Sequence, residues 1–96
     1  MLRLEFSRKA MADLDNIYRQ SILDFDHVQA DLYAGVLDAA LRLILDHPMA
    51  GAVVTGRFDG LRRRNAGVHA IFYAADAECL RVIRILHQRM LPDLHL

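Results

Sequence analysis

An α+β fold of order β-αα-βββ, with an antiparallel helical hairpin packed on one face of a small, mainly antiparallel sheet, follows from three features of the sequence. Two long segments near the amino terminus repeat their apolar residues at three- and four-residue steps, the period of helices buried on one side. Residues 60–90, GLRRRNAGVHAIFYAADAECLRVIRILHQRM, alternate in twos between short turn signals, the period of strands. Connections within each group are short, so helix lies back on helix and each strand runs antiparallel to its neighbour. At 96 residues the chain is expected to form one domain around one core.

Leu2, Leu4 and Phe6 alternate with Arg3, Glu5 and Ser7, which predicts a half-buried first strand. Ser7 stands at an N-cap position, and Met11, Leu14, Ile17, Tyr18, Ser21, Ile22 and Phe25 then form the stripe of a helix over residues 8–24. Asp26 is a second N-cap. From residue 27 to 46, Val28, Leu32, Val36, Ala39 and Leu43, with Tyr33, Leu37, Ala40 and Ile44 alongside, form a wider stripe, and Pro48 closes the helix. Residues 47–59 hold two glycines and a proline without a sustained period and read as a loop, with Val53 and Val54 pinned against the core.

In the meander, Val68, Ala70, Phe72 and Ala74 point one way and His69, Ile71 and Tyr73 the other. By the same alternation Leu80, Val82, Arg84 and Leu86 share a face, opposite Arg81, Ile83, Ile85, His87 and Arg89. The last strand is therefore apolar on both faces, and one helix pair covers only one. An uncovered apolar face predicts a protein partner.

Formal net charge is zero, but residues 1–56 carry five basic and eight acidic side chains, and residues 57–96 carry seven and four. The positive half is the meander. One cysteine, Cys79, forms no internal disulfide and reads as a small apolar strand residue, which suits a reducing cytoplasm. Neither a secretory leader nor a membrane span is expected, because the amino terminus has no long apolar core and no segment approaches about 18 consecutive apolar residues. No Cys/His spacing supports zinc and no phosphate-loop pattern occurs, so no metal and no cofactor is expected.

On these residues the chain resembles the ParE branch of the ParE/RelE superfamily of bacterial type II toxins. The similarity runs from Leu4 to Met90 and includes FSRKAMADLDNIYRQS, GLRRRNAGVHAIFYAAD and LRVIRILHQRM. Its most specific pieces are Arg64 before the strand His69 to Tyr73, and the terminal run Arg84 to Arg89. The resemblance implies a toxin neutralised by a ParD-like antitoxin. For the ParE branch it implies poisoning of DNA gyrase by protein binding rather than catalysis, and for the RelE branch mRNA cleavage on the ribosome. Sequence-specific contact with nucleic acid is not expected.

An acidic amphipathic antitoxin segment would suit apolar surface with a basic rim at Arg62, Arg64, Arg81, Arg84 and Arg89. The candidate antitoxin or target contacts are Arg62, Arg64, His69, Tyr73, Arg81, Ile83, Ile85, His87 and Arg89, with Tyr73 the one aromatic residue placed at the surface. Tyr18, Tyr33 and Phe72 read as core. A ribonuclease needs cations for the phosphate and a proton carrier for the ribose hydroxyl, and Arg62, Arg64, His87 and Arg89 form that set. His69 and His87 read equally well as hydrogen-bonded structural histidines. RelE-branch relatives place a tyrosine or histidine near the carboxyl terminus, where this chain offers only His95. Arg62-Arg63-Arg64 does not form one patch, since alternation sends Arg63 to the opposite face; charge on an edge strand also protects it from pairing.

Overall fold

The structure, a computed structural model, describes residues 2–56, 58 and 60–96. Strand β1 (Arg3–Phe6) leads through Ser7 into helix α1 (Arg8–Asp24), and helix α2 (His27–Asp46) runs back against it. A 3₁₀ turn (Pro48–Ala50) and a two-residue strand β2 (Ala52–Val53) precede the meander β3 (Arg62–Ala66), β4 (His69–Ala75) and β5 (Cys79–His87), and a short helix α3 (Pro92–His95) follows it. The five strands lie in the order β1-β5-β4-β3-β2. Among the described residues only β1 pairs in parallel, with β5; the other pairs are antiparallel.

Caps set the helix starts. The Ser7 hydroxyl oxygen accepts from the Ala10 amide at 3.0 Å, and Asp26 Oδ1 accepts from the Gln29 amide at 2.8 Å. Each satisfies a donor that the helix leaves unpaired, worth about 1 kcal/mol. Gly67 turns the β3–β4 hairpin at φ 57°, a value that suits glycine, and a Cβ there would stand 2.6 Å from the Tyr33 ring. At the β4–β5 turn, Asp76 Oδ1 accepts from the amides of Glu78 and Cys79, both at 2.8 Å, and these bonds hold its carboxyl below the ordinary carboxylate range.

The core lies between hairpin and sheet. Leu37, Leu41 and Ile44 of α2 and Ala10 of α1 bury against Ile71, Tyr73, Leu80, Val82 and Ile85. A bulge decides how β5 takes part. Phe72 lies opposite Arg84, but Tyr73 lies opposite Val82, so Ile83 is an extra residue and the alternation changes phase there. Before the bulge Leu80 and Val82 face the helices; after it Ile85 takes that side, and Arg84 and Leu86 turn away. The uniform alternation expected along this strand, with Ile83 and Ile85 together on a binding face, is corrected by the bulge: Ile85 is a buried core residue and Ile83 is half-buried.

The other sheet face is not bare, as the apolar pattern had suggested. Ala70, Phe72 and Leu86 are buried there beneath Val54 and Leu96. Two further expectations change. The segment 47–59 is not a plain loop, because it contains the 3₁₀ turn and β2; its residues Arg57 and Asp59 lie outside the described residues. Val53 is exposed, and only Val54 is pinned. On α2, the row Val28, Leu32, Val36 and Leu43 faces outward, while Tyr33, Leu37 and Ile44 turn inward.

Candidate functional site

The end of β5 beyond β1 is an open sheet edge, and α1 closes it with side chains. The Ser7 hydroxyl donates to the Ile83 carbonyl at 2.6 Å, and Asp13 Oδ2 accepts from the Ile85 amide at 2.9 Å. The same carboxylate takes a bidentate contact from Arg84, Nε at 2.8 Å and Nη2 at 2.9 Å. Arg84 Nη1 donates to the His95 carbonyl at 2.6 Å, fastening the carboxyl-terminal turn. Both partners of this pair are largely buried, and the Asp13 carboxylate raises the Arg84 pKa further above its ordinary value. Arg84 is thus engaged in the fold rather than presented on a rim.

Tyr73, expected at the surface, is completely buried. Its hydroxyl accepts from the Gly51 amide at 2.9 Å and donates to the Pro48 carbonyl at 2.7 Å, so it pins the turn after α2. A Cβ on Gly51 would meet that hydroxyl at 2.5 Å. Arg62 serves the same turn, donating through Nη1 to the Gly51 carbonyl at 2.8 Å. Sequence periodicity places Tyr73 on the correct face. It does not reveal that a turn remote in sequence would cap it.

The three arginines of β3 separate as alternation predicts. Arg62 and Arg64 lie opposite Tyr73 and Ile71, whereas Arg63 stacks its guanidinium over Phe72, 5.4 Å from the ring centre. Arg64 is half-buried and has no hydrogen-bond or charge partner among the described residues. Arg81 and Arg89 are exposed. Arg81 shares the side of the sheet turned away from the helices with Arg63, since Val82, its neighbour in β5, points into the core.

His69 and His87 are opposed residues of β4 and β5, with ring centroids 5.6 Å apart. Tyr33 of α2 joins them. Its hydroxyl oxygen accepts from the Val68 amide at 3.0 Å and lies 2.5 Å from His69 Nδ1. The hydroxyl also lies 3.4 Å from the Ala66 carbonyl, so the tautomer of His69 sets whether Tyr33 donates to Nδ1 or accepts from it while donating to Ala66. Burial, and then the neighbouring His87, lower the His69 pKa below 6.5. The Arg89 amide donates to His87 Nδ1 at 3.1 Å. Tyr33 is therefore partly a polar pillar and not only core, which the α2 stripe alone could not show.

Measured as a catalytic set, the four ribonuclease candidates disperse. His87 and Arg89 are close in sequence, and Arg64 lies two residues along the ladder from the histidine row. Arg62 is four residues along the strand and two strands across from His87, about 13 Å by about 10 Å. Cys79 is no nucleophile. Burial and the Glu5 carboxylate raise its thiol pKa, which keeps it protonated. Among the described residues no three His, Cys, Asp or Glu side chains are grouped to hold a metal ion, and no helix is long and apolar enough to cross a membrane.

Known proteins resemble this chain in sequence and in fold. Residues 4–92 match the family described as ParE toxin of type II toxin-antitoxin system, parDE. The chain is 38% identical over 90 residues to Toxin ParE1 of Caulobacter vibrioides, covering 94% of this chain and 93% of that one. It is 32% identical over 95 residues to Toxin ParE1 of Mycobacterium tuberculosis, covering 98% and 97%. In three dimensions it resembles a chain of the chromosomal ParDE system from P. aeruginosa, with TM-score 0.77 and 20% identity over 91% of this chain and 96% of that one. A chain of the RelBE2 toxin–antitoxin complex from M. tuberculosis superposes with TM-score 0.67 and 17% identity, covering 91% and 98%. The structural likeness carries the fold, and the sequence match over nearly the whole length carries the family: this chain belongs to the ParE toxins of type II toxin–antitoxin systems.

Proposed function

We propose that this toxin acts in the bacterial cytoplasm by binding DNA gyrase and blocking resealing of cleaved DNA, and that a ParD-like antitoxin neutralises it. The family match supports a toxin, and a P. aeruginosa relative in fold comes from a ParDE system. The observation that supports binding over catalysis is the dispersal of the ribonuclease set. Arg62 holds the turn after α2, two strands and four residues from His87, so it is not placed to share a developing transition-state charge with His87 and Arg89. Arg63 and Arg81 on the sheet face turned away from the helices, with Arg64 on the opposite face and Arg89 beyond β5, offer cations to an acidic partner.

Gyrase supercoiling with the isolated toxin tests this, run with and without the product of the neighbouring gene. Supercoiling lost and then restored by that product is the expected result. Intact supercoiling at large molar excess of a toxin that still binds the antitoxin would remove gyrase as the target. One observation favours a second reading: Tyr33, His69 and His87 form a connected polar cluster beside Arg64 and Arg89. If transcripts are cut within codons after induction, and His87→Gln abolishes the cuts, the toxin is a ribosome-dependent ribonuclease.

A further inference from the structure

His69 and His87 face one another across β4 and β5 in the kind of pair where side chains approach most closely. The Gln88 amide donates to the Val68 carbonyl at 2.9 Å beside them, so the two histidines exchange no backbone bonds, and their rings stand 5.6 Å apart, edge to face at 68°. His69 thereby limits how the His87 ring can turn. That ring also serves the backbone. Its Nδ1 accepts from the Arg89 amide at 3.1 Å, and the Met90 amide donates to the His87 carbonyl at 2.9 Å, so one residue holds both amides of the turn that leaves β5.

An amide can only donate. His87 Nδ1 must therefore be the bare nitrogen, which places the ring proton on Nε2 and makes the neutral ring the form that this turn requires. A second proton would enter at Nδ1 and set N–H against N–H. Little nearby would offset the new charge. The titratable and charged groups around the pair are Tyr33 from α2, Asp13 from α1, Arg64 from β3 and Arg89 itself. Two of these are cations, Tyr33 is engaged with the Val68 amide and His69, and Asp13 is bound by Arg84 and the Ile85 amide. Burial, and then His87, lower the His69 pKa, and the second cause is the same repulsion felt at the partner ring.

We propose that His87 is an acid-sensitive latch on residues 88–90: the neutral ring holds the Arg89 amide, and protonation releases it together with the chain that leads toward the carboxyl-terminal turn. The released segment stays tethered at both ends. Gln88 donates through Nε2 to the Gly67 carbonyl at 2.8 Å, and Arg84 holds the His95 carbonyl at 2.6 Å. Acid thus frees a short loop bearing the exposed Arg89 and leaves the sheet intact. This inference stands apart from the identity of the toxin's target.

The test is an NMR titration of the full chain, following the His87 ring nitrogens and the backbone amides from about pH 8 to about pH 5, the span in which histidine changes charge. At the upper end the wild-type ring should carry its proton on Nε2 alone. As the ring gains its second proton, the Arg89 amide should shift with the same midpoint and lose about threefold to tenfold of its protection against exchange, the worth of one hydrogen bond. His87→Asn places Oδ1, an acceptor that takes no proton, near the position of Nδ1, so its Arg89 amide should stay bonded and stationary throughout. His69→Gln should leave the Arg89 response in place. A wild-type ring proton on Nδ1 overturns the inference, as does an Arg89 amide that ignores the His87 midpoint or a core amide such as that of Ile71 losing protection at the same pH. A response that survives His87→Asn also overturns it, and one that vanishes with His69→Gln overturns it by assigning the switch to His69.

Discussion

The inner and outer sides of the helical hairpin are comparably apolar and have opposite fates. Inside, Leu37, Leu41 and Ile44 are buried against the sheet, Asp13 closes the β5 edge and Tyr33 supports the β3–β4 turn. Outside, Val28, Leu32, Val36 and Leu43 meet water. The contrast teaches that stability comes from a few interlocking contacts on one side, while the other side is available for recognition. Substitutions inside should therefore unfold the protein, and those outside should alter only what it binds.

Asp13→Ala should have the largest effect. It removes the acceptor of Arg84 and of the Ile85 amide together, leaving a mostly buried guanidinium without its counter-charge, at a cost of about 3–5 kcal/mol in denaturant unfolding. A loss under 1 kcal/mol would mean that the pair contributes no more than a surface ion pair. Ile44→Ala follows at about 3 kcal/mol, within the range for emptying a fully buried aliphatic site, read from the same measurement. Gly67→Ala should cost about 1–3 kcal/mol, because the residue sits at φ 57° and its Cβ would strike the Tyr33 ring.

His69 gives a prediction in pH. Its folded pKa lies below its ordinary value of 6.5, so the unfolded chain binds the proton more readily. Its contribution is whole above 6.5, is lost as pH falls from 6.5 to the lowered folded value, and stays lost below that. His69→Gln should flatten this part of the stability profile; an unaltered slope would place the acid sensitivity elsewhere. The smallest change belongs to the outer side. Leu32→Ser should move stability by no more than about 0.5 kcal/mol, and a larger loss would show that this side is part of the core after all.

Much of the fold was legible in the sequence because its signals are local. Ser7 and Asp26 cap the helices, the 2-residue period marks the strands of the meander, and Gly67 and Asp76 turn them. The separation of Arg63 from Arg62 and Arg64 was legible for the same reason. The short β2 and the carboxyl-terminal turn were not, since two and four residues carry no usable period. At the site, the adjacency of His69 and His87 needed the register of two strands, and the engagement of Arg84 needed a carboxylate 71 residues away.

The sequence by itself determined which residues share a side of the helices and of β3 and β4, where the helices begin, and the family to which the motifs point. Tertiary structure decided which side of α2 is covered, that the bulge at Ile83 turns Ile85 inward, and that Tyr73 is buried beneath the turn at Pro48–Ala50. The physical reason is that periodicity relates residues within an element but does not set that element's rotation against the core. One extra residue in a strand exchanges its two faces, and only packing against the rest of the chain selects between them.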